Sequence, residues 1–194
     1  MIKRVCVYCA SSSNIDEIYT KDAEILGSLL GERNMSIING AGAKGLMCAV
    51  SDAVLSSGGT VTGVIPRFMV KNGWCHPCLT EVVETETMHE RKKIMADMSD
   101  AAIALPGGIG TFEELLEIIT WRQLGIYKKP VIILNTNNYY APLLEMFSRA
   151  TEEGFMRDDA QAILWNVAQT PEEVIKIIDK QSESEPLPTT SRHP

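Results

Sequence analysis

Residues 106–114 read Pro-Gly-Gly-Ile-Gly-Thr-Phe-Glu-Glu, a glycine-rich turn between the apolar run Ala101–Leu105 and a helix-like segment. Closely spaced glycines let backbone amides face one concavity, and the helix that follows adds unpaired N–H groups and its positive dipole end. That is chemistry for a phosphate. Glu113 and Glu114 stand beside it in the first helical turn, so a carboxylate able to take a proton adjoins an anion grip. The same run has a purely structural alternative. Thr111-Phe112-Glu113-Glu114 fits a capping box with Glu114 at its fourth position, and Phe112, Leu115, Leu116 and Ile119 then form a buried stripe with Glu113, Glu117 and Thr120 off it.

Three further constellations carry chemistry. Arg91, Lys92 and Lys93 follow Thr87-Met88-His89-Glu90, itself a capping box; they read either as a solvated basic patch or as an anion clamp in which arginine binds bidentately. Gly40-Ala41-Gly42-Ala43-Lys44-Gly45 is a G-x-G-x-x-G after a strand and before a helix, yet no acidic residue ends the next strand, Val61–Pro66, where a ribose-binding carboxylate would stand. The loop is therefore expected to approach part of another ligand, or to be a plain turn. Cys6/Cys9 and Cys75/Cys78 form two C-x-x-C pairs. Cys6 and Cys9 in an extended strand would lie roughly 10 Å apart on opposite faces, which rules out a shared four-cysteine metal site. The second pair, in a loop with His76, is read as ordinary free thiols, with redox activity or metal binding as the alternative. His76, His89 and His193 form no catalytic set with a serine.

The elements that must position these groups alternate. Val5–Cys9, Met35–Ile38, Val61–Ile65, Glu81–Val83, Ala101–Leu105 and Val131–Leu134 read as strands, and residues 16–33, 45–57, 88–98, 112–124, 140–153 and 171–180 as helices. Apolar runs joined by helical crossovers predict an α/β, Rossmann-like, doubly wound and mainly parallel sheet with helices on both faces, binding ligands outside the carboxyl ends of its strands. Both glycine loops fall at such ends. Residues 1–180 are read as one domain and 181–194, polar and proline-containing, as a disordered tail.

With 194 residues and 45% hydrophobic content, the chain can bury one core. A formal net charge of -7 argues against a nucleic-acid footprint. No apolar run approaches the ~18 residues of a membrane span, and Met1–Val5 opens on a strand-like stretch without signal-peptide regions, so a cytoplasmic protein is expected. Five cysteines fit reduced thiols better than a disulfide framework.

Pro106–Glu114 resembles the PGGxGTxxE signature of the LOG family, the cytokinin riboside 5'-monophosphate phosphoribohydrolases. Cys9-Ala10-Ser11-Ser12, Gly45-Leu46-Met47, Met88-His89-Glu90-Arg91-Lys92, Ile119-Thr120-Trp121 and Gln123-Leu124-Gly125 extend the resemblance in order and spacing over residues 4–180. It implies a Rossmann-like homodimer that cleaves the N-glycosidic bond of a nucleoside 5'-monophosphate, AMP or an N6-modified AMP, without a metal or other cofactor. By motif position Glu114 is the catalytic carboxylate and Arg91 the essential arginine. The resemblance further implies that Gly107, Gly108, Ile109, Gly110 and Thr111 hold the phosphate, and that Ser11, Ser12, Gly42, Met88, Lys92, Glu113 and Thr120 contact substrate. The chain departs from the family pattern at Ala41 and Cys48, where glycines are usual, and at Lys71-Asn72-Gly73, where a glutamate is common. Alanine at 41 is a small change if its φ is negative and costly otherwise. A non-catalytic nucleotide-binding protein of the same fold is the alternative. Lysine decarboxylation would need a lysine poised for a pyridoxal Schiff base, and no local pattern supplies one.

Overall fold

The computed structural model describes residues 1–183. Its strands are β1 (Arg4–Tyr8), β2 (Ser36–Asn39), β3 (Thr60–Pro66), β4 (Glu81–Thr85), β5 (Ala101–Ala104), β6 (Val131–Leu134) and β7 (Asn166–Ala168). All pair in parallel, in the order β4-β3-β2-β1-β5-β6-β7. β5 and β6 are buried throughout, as strands covered on both faces must be. The helices are α1 (Glu17–Glu32), α2 (Gly45–Ser56), α3 (Arg67–Lys71), α4 (Met88–Met98), α5 (Ile109–Gln123), α6 (Ala141–Glu152), α7 (Ala160–Leu164) and α8 (Pro171–Glu183).

Two apolar clusters sandwich the sheet. One joins it to α1, α2 and α8 through Leu26, Leu30, Val50, Val54 and Ile178; the other joins it to α4, α5 and α7 through Met95, Leu115, Ile118 and Leu164. Cys6 belongs to one cluster and Cys9 to the other, so the two thiols do point to opposite faces. Strand order reverses between β1 and β5, which pair with Tyr8 opposite Ala104. The connections leaving those two strands therefore diverge and open a crevice at the carboxyl edge, where doubly wound sheets take their ligands.

Helices α1 and α2 lie unusually close because α1 shows glycine to its neighbour. A Cβ on Gly27 would sit 2.7 Å from the Ala53 Cβ and the Val50 carbonyl, and one on Gly31 2.7 Å from the Val54 carbonyl. This approach seats α2, and with it the loop at residues 40–45, beside the crevice.

Several expectations are corrected. Helix α5 begins at Ile109 with Gly108 as an extended N-cap that makes no side-chain capping bond, so Thr111 does not cap and Glu114 is not a capping residue. Starting three residues earlier also turns the stripe: Thr111, Leu115, Ile118 and Ile119 are buried, while Leu116 is exposed. β7, α3 and α7 were not expected; at three to five residues each they are too short to show periodicity. Helix α8 runs past Lys180 to Glu183, and the rest of the expected tail lies outside the described residues. Among the described residues no helix is long and apolar enough to cross a membrane.

Gly27→Ala is expected to lower stability by about 1–3 kcal/mol, because the obstructing atoms include backbone that cannot yield. Urea unfolding checks this; a variant as stable as the parent would mean that α1 and α2 are free to separate.

Candidate active site

The carboxyl ends of β1, β2, β3 and β5 bring four segments together. Ala10, after β1, donates its N–H to the Pro106 carbonyl at 3.2 Å, and its carbonyl accepts from Met47 N at 3.2 Å. These two bonds tie the Ser11-Ser12 turn to both glycine loops. Gly45 has φ +62, and a Cβ there would lie 2.5 Å from the Ser12 carbonyl, so only glycine lets the loop close on that turn.

At the start of α5 the first helical bond runs from Phe112 N to the Gly108 carbonyl at 3.0 Å. The amides of Ile109, Gly110 and Thr111 thus precede any intrahelical partner, an arrangement that can hold an anion at a helix N-terminus. A Cβ on Gly108 or Gly110 would meet no atom within 4 Å, so both face open space; one on Gly107 would lie 2.1 Å from Thr111 Oγ1, so the loop folds tightly under the buried threonine.

Arg91 and Glu114 meet beside this cradle. Arg91 is buried and the Glu114 side chain is only 10% exposed, and Arg91 Nη1 lies 3.7 Å from Glu114 Oε1. The guanidinium is fixed by a 3.0 Å bond from Nε to the Val64 carbonyl and by the bare backbone of Gly40, where a Cβ would sit 1.7 Å from Nη2. Gly40 is a site residue that the sequence did not single out; its signal was the unexplained first glycine of the G-x-G-x-x-G loop. Met88 adjoins the same group, its Sδ 4.0 Å from Nη1. Burial pushes the Glu114 carboxyl up to about 7; Arg91 opposes this, and the neighbouring Glu113 reinforces it.

The three basic residues divide. Arg91 and Lys92 are buried, whereas Lys93 is exposed and pairs with Asp97. Lys92 bonds Glu113 and, at 3.1 Å, Glu117, lashing α4 to α5; these carboxylates raise the lysine pKa against the opposing pull of desolvation. Ser11 and Ser12 are exposed at the crevice, and Ser12 Oγ accepts from Asn14 N. Gly42 spends its N–H on Met47 Sδ at 3.2 Å. Thr120 lies about 9 Å further along α5 than Glu114 by helical rise. It is exposed, and its hydroxyl donates to Leu116 O, so within this chain it stands apart from the Arg91–Glu114 pair.

Ala41 adopts φ +60, the left-handed region, so alanine here is the costly case, strained by about 1 kcal/mol or more. The segment is held regardless: Ala41 N bonds Asn39 Oδ1, its carbonyl accepts from His76 N, and Ala43 N donates to Trp74 O. The cysteine loop is thus a wall for the 40–45 loop. Cys48, Asp52 and His76 place ligand atoms within 4.8 Å of one another, as a metal site would. The hydrogen bonding fits a clamp instead. His76 Nδ1 accepts from Cys78 N at 3.2 Å, so its proton lies on Nε2, which donates to Asp52 Oδ1 at 3.1 Å. A metal on Nε2 would drive that proton onto Nδ1, against the Cys78 N–H. Burial raises the Cys75 thiol pKa, contrary to what a reactive thiolate needs. A separate hollow lined by Asp158, Gln161, Trp165 and Asn166 lies at the amino end of β7, away from this constellation.

Residues 47–178 match the family model described as "Possible lysine decarboxylase". A probable cytokinin riboside 5'-monophosphate phosphoribohydrolase of Oryza sativa subsp. japonica is 47% identical over 180 residues, covering 93% of this chain and 73% of the relative. A cytokinin riboside 5'-monophosphate phosphoribohydrolase of Arabidopsis thaliana is 46% identical over 178 residues, 91% of this chain and 83% of its own. Among solved structures, the molybdenum cofactor carrier protein of Chlamydomonas reinhardtii aligns with a TM-score of 0.71 over 95% of this chain and all of that one; at 21% identity this speaks to the fold alone. On its sequence relatives and on the family model, the chain belongs to the LOG family.

Proposed function

We propose that the protein hydrolyses the N-glycosidic bond of a nucleoside 5'-monophosphate, AMP or an N6-modified AMP, to free base and ribose 5-phosphate. The observation that carries this reading is the buried Glu114 carboxylate facing Arg91 on the helix whose open N-terminus can hold a phosphate. Glu114 stands five residues after Ile109, about 7.5 Å along the axis. A phosphate at the helix end and a carboxylate about one and a half turns along it leave the ribose to lie between them. Binding energy from the phosphate then fixes C1' against the carboxylate.

Ionised Glu114 takes a proton from water as its oxygen bonds C1'; the C1'–N bond breaks, its electron pair leaves with the base, and solvent returns a proton to that base. The carboxylate also stabilises the positive charge that develops on the sugar. Arg91 holds the ring nitrogens of the departing base or the phosphate by hydrogen bonds, with Val64 and Gly40 keeping it aimed. Gly107 to Thr111 grip the phosphate, Ser11, Ser12, Gly42, Met88, Lys92 and Glu113 line the substrate or support its contacts, and Thr120, remote from the pair within one chain, reaches substrate only from the partner of the homodimer. No metal or other cofactor is required. The enzyme works as a cytoplasmic homodimer that binds neither nucleic acid nor membrane. Supporting the dimer, Leu116 and Leu124 on and after α5, with Ile126 beyond, are exposed.

Incubation with AMP and with N6-prenylated AMP should release the base and ribose 5-phosphate. Glu114→Gln and Arg91→Ala should each slow release at least ~100-fold with unchanged circular dichroism. A protein that binds AMP while neither product appears would be the non-catalytic module instead.

With the Glu114 carboxyl held at about 7, kcat/KM should climb as pH rises through that value. Stability should run the other way. A carboxyl raised in the fold contributes stability that is whole below about 4.5 and lost as pH rises through about 7. Relative to Glu114→Gln, the parent should therefore lose on the order of 3 kcal/mol between pH 4.5 and 8 in urea unfolding; parallel pH profiles would refute the buried-carboxyl assignment.

Light scattering on a sizing column should report a dimer for the parent and a monomer for Leu116→Glu/Leu124→Glu. A dimer surviving that pair would place the contact elsewhere.

A further inference from the structure

Behind the phosphate loop stand two tyrosines that neither grip substrate nor take part in bond cleavage. The connection after β6 turns through Asn137 and Asn138, both left-handed at φ +51 and +57, and delivers Tyr139 and Tyr140 under the loop. Tyr139 Oη donates to the Gly107 carbonyl at 2.5 Å, and Tyr140 Oη to the Leu105 carbonyl at 2.7 Å. Pro106, between them, has its carbonyl taken by Ala10 N. Three consecutive carbonyls are thus held.

In a trans peptide the C=O and the following N–H point in opposite directions. Holding the Gly107 oxygen on Tyr139 turns the Gly108 N–H away from the tyrosine, and Gly108 borders open space. Without that bond the peptide between two glycines is free to turn over, which would set a carbonyl oxygen where the phosphate needs a donor. Tyr140 differs in kind. The peptide after Leu105 belongs to Pro106 and has no N–H, so this bond anchors the chain but cannot aim a donor. Tyr140 is fully buried, with its own N–H on Asn135 Oδ1 at 2.7 Å.

We propose that Tyr139 is a positioning residue for the substrate's phosphate: its hydroxyl fixes the Gly107–Gly108 peptide so that the Gly108 N–H faces the cradle, while Tyr140 serves only to anchor the loop. This rests on the phosphate-binding half of the proposed function.

The test compares Tyr139→Phe with Tyr140→Phe. Phenylalanine keeps the ring packing of Tyr139 against Tyr19, Phe112 and Tyr140, so the fold should survive. Ribose 5-phosphate binding by calorimetry and AMP hydrolysis are measured for each, alongside thermal melting. Tyr139→Phe should weaken ribose 5-phosphate binding and raise KM for AMP by about 2- to 10-fold, the worth of one neutral hydrogen bond, with kcat nearly unchanged. Tyr140→Phe should lower the melting temperature while leaving both affinities within about twofold. Equal losses of affinity in the two variants, an unchanged affinity in Tyr139→Phe, or a Tyr139→Phe defect traced wholly to unfolding would each overturn the proposal. Binding of ribose 5-phosphate requires no turnover. If the parent binds it without hydrolysing AMP, and Tyr139→Phe weakens that binding, the positioning role stands and the hydrolase reading falls.

Discussion

The Arg91–Glu114 pair is the constraint around which this molecule is arranged. Bringing two opposite charges out of water rarely stabilises a fold by itself, since desolvation offsets much of their attraction. At 3.7 Å the pair is also looser than a hydrogen-bonded ion pair. What holds it is everything else: the Val64 carbonyl on Nε, the bare Gly40 backbone against Nη2, and the Lys92 bridge from α4 to Glu113 and Glu117 on α5. Remove those and the arginine could leave for solvent. A charge kept indoors at a distance that leaves the carboxylate's proton affinity near neutrality fits a group that must act, better than one that must merely hold helices together.

Glycine serves three different purposes within this small region. At Gly40 a missing side chain makes room for a guanidinium, at Gly107 it makes room for Thr111, and at Gly108 and Gly110 it leaves space that nothing in the chain fills. Only the last pair leaves room for a ligand. Glycine content alone therefore overstates the size of the phosphate grip, and the loop's rigidity has to come from outside it, from Ala10 and the two tyrosines bonded to its carbonyls.

The strand-helix alternation and the placing of both glycine loops at carboxyl ends were legible from the sequence because apolar runs and crossover helices leave strong periodic signals. The Thr87 cap was legible too, and its hydroxyl does accept the Glu90 amide at 3.1 Å. The same four-residue pattern at Thr111 misled, since Gly108 lets the helix begin earlier and tertiary packing claims both residues, Thr111 against Gly107 and Glu114 against Arg91. Local patterns hold only when nothing distant competes. The Tyr139–Gly107 bond spans 32 residues and the Asp52–His76 bond 24, and no periodicity encodes either. Ala41 shows the converse: the sequence posed the question of its φ, and only the fold could answer it.

Fold and chemistry separate at the crevice. An open helix N-terminus after β5 follows from the crossover itself, so any chain wound this way presents an anion grip there, whatever it does with the anion. Likeness in fold to a molybdenum cofactor carrier is therefore no guide to reaction. A carboxylate buried to the point where its proton is held to about neutral pH asks for more: a helix face turned by one residue's register, an arginine from a second helix, and a strand carbonyl to aim it. Register is what binds the two levels together. Had α5 begun at the threonine cap, the Glu114 carboxylate would have been drawn back to the Thr111 amide and away from Arg91. The extended Gly108 that starts the helix early thus leaves the Glu114 carboxylate free of the helix's own cap, and the open amides of the loop and the carboxylate facing Arg91 are set by the same backbone turn.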